Sequence, residues 1–382
     1  MTTTESVLTA RHAGLRDMAS LLRRQQDDKL DVVVPADQMR LVGGELEIDG
    51  IGEPTLSRDG VTPVPGRFTP TGTCDGGIAE KLGIPVRYLR RMREDHQLDL
   101  LDHNVNTWLS HDPRERFLVR TFRGQHGRSG IARALLSDKY KITDNLDVLM
   151  SVLDGIRAAG VHTTAQCDLT ESRLYVKISC PEVSAYAPEL LRGYTSPFSG
   201  QRGADNPVVW AGFIVTNSEV GHGAFKITPR LTVQVCNNGL TIDKDALREI
   251  HLGTRLESGQ IRWSEDTRRA VADLAGKQAR DAVRTFLNPG YLHATIAAVQ
   301  AEAGIPVQRP AETLEFVATQ LRFTAEEQET ILNHFIDGGD RTTGGVLHAV
   351  TSAAQTLDDA DRAYDLERHG VPAMQHAAAF QR

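Results

Sequence analysis

Apolar and polar positions along this chain alternate between two rhythms. Between Asp144 and Gly160, Val148, Leu149, Val152, Leu153 and Ile156 fall on one stripe with the 3.6-residue period of an α-helix. Asp144 or Asn145 stands ready to cap that helix and Gly160 to stop it. RFLVRTF (Arg116 to Phe122) instead alternates with period two. It predicts a strand with Phe117, Val119 and Thr121 on one face, and Arg116, Leu118, Arg120 and Phe122 on the other. GIARALLS (Gly130 to Ser137) predicts a second strand. Two further antiparallel pairs follow, each rich in β-branched and aromatic residues. VHTTAQCDL pairs with SRLYVKISC through a turn near Thr170-Glu171, and VVWAGFIVTNSEVG pairs with FKITPRLTVQVCNNG.

Upstream, DVVVP (Asp31 to Pro35) reads as a strand ended by proline. MRLVGGELEI reads as a hairpin turning at Gly43-Gly44. GVTPVPGRFTPTG (Gly60 to Gly72) reads as extended loop. Residues 73–112 read as helical: GIAEKLGIPVRYLRRM as two short helices, with Gly83 ending the first and Pro85 opening the second, and Leu98 to Ser110 as a third. From Asp243 onward the pattern is helical. It includes a long charged stretch from Arg268 to Phe286 and breaks at Pro289-Gly290 and Ile305-Pro306. Strands arrive as adjacent pairs rather than in βαβ alternation, which predicts an α+β fold: an antiparallel sheet crossed by helices in the centre, with a mostly helical C-terminal part. The expected divisions are an N-terminal strand and loop segment at 1–72, a central domain at 73–242 and a helical region at 243–382.

Composition narrows the function classes. With 382 residues, 40% of them hydrophobic, the chain can bury a substantial core. Its first twenty residues lack a basic segment followed by an apolar one, and no apolar run approaches the roughly 18 residues needed to span a bilayer. A cytoplasmic protein with no membrane partner is expected. Cys74, Cys167, Cys180 and Cys236 are widely spaced and form no CxxC pair. They read as packed, reduced thiols rather than a zinc site or disulfide framework, so no metal and no cofactor is expected.

The net charge of −7 argues against a general polyanion binder, yet the charge is uneven. Between Arg114 and Lys141 stand eight cationic residues against two acidic ones, a net of +6. Two strands joined by the loop Arg123-Gly-Gln-His-Gly-Arg128 could follow a nucleic-acid backbone, since arginine presents a planar fork to phosphate and glycine permits close approach. In this reading Arg120, Arg123, Arg128, Arg133, Lys139 and Lys141 contact phosphates, and Tyr140 stacks on a base. The competing reading is a hairpin whose charges are simply solvated.

A second segment, Thr216 to Gly239, carries a polar core between apolar strands: Asn217, Ser218, Glu219, Gly221, His222. Turn geometry accounts for such a loop. The alternative is a hydrolase-like site in which Glu219 and His222 form an acid–base pair and Asn217 orients substrate. Cys236 has no local base and reads as packed. A third segment, GIAEKLGIPVRYLRRM, has the spacing of a helix-turn-helix with Arg87, Arg90 and Arg91 on its second helix. An αα-hairpin packed through Ile78, Leu82, Tyr88 and Leu89 is the preferred reading. LDDADRAYDLERHG (Leu357 to Gly370) offers no site chemistry. No GxxxxGK[ST], HExxH or GxSxG is present.

ALLSDKYKITDN (Ala134 to Asn145), followed by VVWAGFIVTNSEVGHGAFKITPRLTVQVCNNGL (Val208 to Leu240), resembles the phage/plasmid-like family of unknown function found in prophages, plasmids, phages and their bacterial hosts. The paired signatures are an LSD-x-Y-x-x-x-D-N turn before a helix, and an NSE-x-G loop leading to a C-x-N-G strand end. The resemblance covers roughly residues 75–290. Its setting in mobile elements implies DNA metabolism. A helix crossing antiparallel strands beside a basic hairpin is also similar in layout to the single-strand annealing recombinases. Together these imply a nucleic-acid-binding protein acting on single-stranded DNA in recombination or replication, with a homo-oligomer as a further expectation, rather than an enzyme. A helical protein-interaction module at the C-terminus is a further alternative.

Overall fold

The structure, a computed structural model, describes residues 7–52, 55–57, 60–62, 64–124, 128–140, 142–249, 274, 277–278 and 280–382. The chain opens with β1 (Ala10–Ala13), α1 (Leu15–Asp28), β2 (Lys29–Pro35), β3 (Met39–Val42), β4 (Glu45–Ile48), β5 (Thr55–Ser57), β6 (Gly60–Thr62) and β7 (Gly66–Pro70). Three helices follow: α2 (Gly72–Leu82), α3 (Val86–Glu94) and α4 (Leu98–Leu109). Then come β8 (Arg116–Phe122), β9 (Gly130–Ser137), α5 (Asn145–Ala159), β10 (Thr164–Leu169), β11 (Leu174–Tyr186) and α6 (Pro188–Leu191). β12 (Val208–Asn217), β13 (Phe225–Val233), β14 (Gly239–Thr241) and β15 (Leu247–Glu249) complete the strands. The C-terminal helices are α7 (Pro289–Ala303), α8 (Pro310–Leu321), α9 (Ala325–Gly338), α10 (Thr343–Gln355), α11 (Ala360–Arg368) and α12 (Gly370–Gln381).

The fold is α+β, with all its described strands but β5 and β6 in two large sheets. One has the order β2-β8-β9-β7-β4-β3 and is antiparallel except where β7 runs parallel to β9. The other has the order β1-β10-β11-β12-β13-β14, with β15 also on β13, and is antiparallel throughout. The N-terminal strands β2, β3, β4 and β7 therefore share the first sheet with β8 and β9, while β5 and β6 pair with each other in a small hairpin, and the expected boundary at residue 72 falls inside the first sheet. Part of the stretch expected as loop at 60–72 is strand, because β7 inserts between β4 and β9. The break expected at Pro289-Gly290 is present: helix ends at residue 286 and Pro289 opens the next one, Asn288 capping it by accepting from the Gly290 and Tyr291 amides. Of the charged stretch at 268–286, the described residues 274, 277–278 and 280–286 are all helical.

Three apolar cores result. The first sheet packs Leu41, Leu46, Ile48, Phe68, Phe117, Val119 and Leu135 against Ile78, Leu89, Leu101 and Val105 of α2–α4. The second sheet packs Val176, Ile178, Phe213, Val215 and Ile227 against Met18 and Leu22 of α1, Leu149 and Val152 of α5, and Leu292 and Ile296 of α7. The helices α8–α12 hold a third core around Val317, Phe335, Val346 and Val350. The edge strand β3 is shielded by α4. The Asn106 carboxamide bonds both the amide and the carbonyl of Leu41 at 2.8 Å, and Asp102 accepts from the Gly43 and Gly44 amides at 2.5 and 2.9 Å. Gly43 and Gly44 both sit at positive φ, as the tight hairpin requires. All four cysteines are buried and free. No helix among the described residues is long and apolar enough to cross a membrane.

Candidate nucleic-acid interface

β8 is buried on both faces from Phe117 onward, so its arginine cannot reach solvent. Arg120 is 0% exposed. Its Nε lies 3.1 Å from both oxygens of Asp31 and its Nη2 lies 2.9 Å from an oxygen of Asp31 and of Asp144. Its Nη1 donates to the Glu219 carbonyl at 2.7 Å. Arg133, on the neighbouring β9, is also buried; it pairs with Glu219 Oε2 at 2.6 Å and lies over the Phe122 ring. Lys29 pairs with Asp144 at 2.6 Å. Three cations, Lys29, Arg120 and Arg133, thus face three carboxylates, Asp31, Asp144 and Glu219, and the cluster is neutral. The expectation that Arg120 and Arg133 contact phosphate is corrected: burial without neutralisation would cost several kcal/mol per ion, so these guanidinium groups take carboxylate partners.

The remaining residues of the basic stretch do not converge either. Arg123 and Arg128 are exposed at one end of the β8–β9 hairpin, Arg123 reaching the Asp27 carbonyl at 3.5 Å. Lys139 is exposed beyond the far end of β9, an eight-residue strand of roughly 25 Å. Tyr140 is half-buried, its hydroxyl donating to the Ser218 carbonyl at 3.3 Å, so its ring is not an open stacking surface. Lys141 lies outside the described residues.

The two signature segments lock into each other. Asn217 donates to the Thr143 carbonyl and to Asn145 Oδ1, both at 2.8 Å. Glu219 Oε1 accepts from the Asn145 amide at 2.6 Å, capping α5 from across the chain. Asp144 precedes that helix but does not cap it, because its carboxylate is drawn to Lys29 and Arg120. Those cations hold the Asp144 carboxyl below its ordinary range, against the opposing effect of burial. Ser218 donates to the Ser172 carbonyl at 2.7 Å and accepts from the Val220 and His222 amides. Gly221 supplies the turn at φ +88°. The loop is a clasp between the two sheets with its polar valences largely spent.

Glu219 and His222 do not converge. Both Glu219 oxygens are committed within the clasp, while His222 lines a separate cleft. Burial and the Arg173 charge hold the His222 imidazole below its usual pKa. The Glu219/His222 acid–base pair is therefore absent.

That cleft, about 730 Å³, lies where the three cores meet. The first-sheet unit contributes Gly72, Thr73 and Gly76 of α2 and Arg90 of α3. The second sheet contributes Arg11, the turn Leu169 to Ser172 and His222; the C-terminal unit contributes Asp358 to Asp361. The helix pair anticipated at 77–92 forms as α2 and α3. Ile78 and Leu89 are buried and Leu82 packs beside them, as an αα-hairpin requires, but Tyr88 is 42% exposed. Arg93 anchors α3 through Asp75 and the Gly44 carbonyl. Arg87, Arg90 and Arg91 stand on the open face of α3 beside Tyr88. Arg91 pairs with exposed Asp95; Arg87 and Arg90 have no hydrogen bond or ion pair among the described residues.

The C-terminal segment read as devoid of chemistry supplies much of the polar wall. Asp361 accepts from Thr170, Ser172 and, at 2.5 Å, Tyr175. Arg230 is bidentate to buried Glu367 at 2.7 and 3.0 Å. Polar residues at the start of a short helix were the available signal, but contact across more than 180 positions is invisible to local pattern. Among the described residues no group of three or more His, Cys, Asp or Glu side chains is placed to hold a metal ion. No known protein family, curated protein or solved structure matches the chain.

Proposed function

We propose that this chain binds single-stranded nucleic acid, and that α3 rather than the β8–β9 hairpin makes the contact. One observation carries the reading: three guanidinium groups within two turns of one exposed helix surround an exposed tyrosine, and two of the three make no hydrogen bond or ion pair among the described residues. Unpaired arginines neutralise phosphates and release counterions, and an exposed ring next to them offers a stacking surface. The remaining cations of the earlier stretch, Arg123 and Arg128, are secondary candidates at a separate place. A small, anchored helix and an overall acidic chain favour modest affinity and strong salt dependence.

Fluorescence anisotropy with a labelled single-stranded oligodeoxynucleotide tests it. Binding is expected at low salt. The triple variant Arg87→Ala/Arg90→Ala/Arg91→Ala should lower the slope of log K against log salt by about 2, at roughly 0.7 per single-strand phosphate. Arg123→Ala/Arg128→Ala should change the slope by less. Absence of binding at low salt, or a slope unmoved by the triple variant, refutes the proposal. An RNA strand of the same sequence, run in parallel, assigns the sugar.

A further inference from the structure

Arg90 belongs both to the open face of α3 and to the rim of the three-core cleft. Behind it the wall carries four carboxylates, Glu171, Asp358, Asp359 and Asp361, beside Arg11, whose charge is met by Asp168 at 2.8 Å. Asp359 accepts from the Arg362 amide, and Asp361 is held by three protein hydroxyls. Glu171 and Asp358 are exposed to the cleft and have no hydrogen bond or ion pair among the described residues. At about 730 Å³ the cleft falls within the range of small-ligand sites. No Phe, Tyr or Trp ring lines it, its one ring being the His222 imidazole, and among the described residues Leu169 is its only large apolar side chain, so hydrogen bonding must select what enters.

These facts divide a polynucleotide in two. A phosphate is attracted to Arg90 at the rim and repelled by the carboxylates behind it. A base is uncharged, projects away from the backbone in an unstacked single strand, and can be read along its hydrogen-bonding edge. Carboxylates accept from exocyclic amino groups, as they do from the N4 amino group of cytosine. Thymine has no such group. We infer that the cleft receives an unpaired base carrying an exocyclic amino group, with Glu171 and Asp358 as its acceptors, from a strand whose phosphates lie on α3. The inference rests on the polynucleotide reading above and adds base preference to it.

The test compares labelled oligo(dC) and oligo(dT) of about twenty nucleotides, longer than a typical single-strand site of roughly 4–16, on the full chain near neutral pH. Oligo(dC) is expected to bind about tenfold more tightly, the discrimination of one good base contact. In Glu171→Ala/Asp358→Ala, which removes both acceptors, both affinities should rise through lost repulsion, while the ratio falls towards one. Neither residue has a partner within the described fold, so the variant should stay folded; an unchanged circular dichroism spectrum and melting temperature check this. Equal affinities for the two strands in the native protein overturn the inference and leave the α3 reading standing. A preference that survives the double variant also overturns it. Failure of both oligomers to bind overturns the α3 reading itself, and the base assignment with it.

Discussion

Replacing Arg120 by methionine, a side chain of similar reach without charge, would leave the interface between the sheets with Asp31, Asp144 and Glu219 facing only Lys29 and Arg133. The cluster would pass from neutral to a net charge of −1 in a place where Arg120 is 0% exposed and Glu219 8% exposed. Asp31 would lose the guanidinium fork that meets it at 2.9–3.1 Å, and the Glu219 carbonyl would lose its donor at 2.7 Å. Removing one partner of a buried ion pair costs about 3–5 kcal/mol. That is a large part of the roughly 5–15 kcal/mol by which folded proteins exceed their unfolded state. Urea unfolding followed by circular dichroism, with tryptophan fluorescence as a second probe, measures the loss. Glu219→Gln alone leaves the cluster at +1 and should also destabilise. Combined, the two changes restore neutrality, so the double variant should be more stable than the sum of the singles by about 1–3 kcal/mol. A cost for Arg120→Met below about 1 kcal/mol, or strict additivity with Glu219→Gln, would refute the clasp argument. The same variant separates structure from binding: provided it is folded, its salt slope on single-stranded DNA should equal that of the native protein, because Arg120 reaches no solvent.

Acid should loosen the attachment of the C-terminal helices to the second sheet. Burial opposes ionisation of Glu367, but Arg230, Lys177 and Thr241 outweigh it and hold its carboxyl down to about 2 from 4.5. A lowered folded pKa means stability present above pH 4.5 and lost as pH falls towards 2, up to about 3 kcal/mol; Glu367→Gln should flatten that part of a pH–stability curve. Asp144, also held low, contributes in the same direction in the acid range. The four thiols should be inert in the native state, since burial pushes Cys167 up to about 12 and Cys236 to about 11; rapid labelling before unfolding would contradict this. Gly212→Ala should destabilise by about 1–3 kcal/mol or more, because a Cβ there would stand 2.1 Å from the Ile178 carbonyl oxygen on the adjacent strand; a thermal melt checks it.

Local rules were enough for much of the secondary structure. The stripe of Val148, Leu149, Val152 and Ile156, closed by Gly160 in the left-handed region, marks α5. The Gly43-Gly44 hairpin and the β12–β13 pair are equally visible, because period and turn chemistry act between near neighbours. What local pattern could not supply was the environment of each charge. Arg120 and Lys139 stand in one basic stretch, yet one is sealed against three carboxylates and the other faces water. Asp31, Asp144 and Glu219, spread over 189 positions, meet Arg120 only after two sheets have folded and docked. For the same reason Asp358 and Glu171 share a cleft wall although nothing in either neighbourhood marks it. Pattern is written by steric and hydrophobic preferences that decay within a few residues. Charge neutralisation and cleft formation depend on through-space distance, which only the packed chain determines.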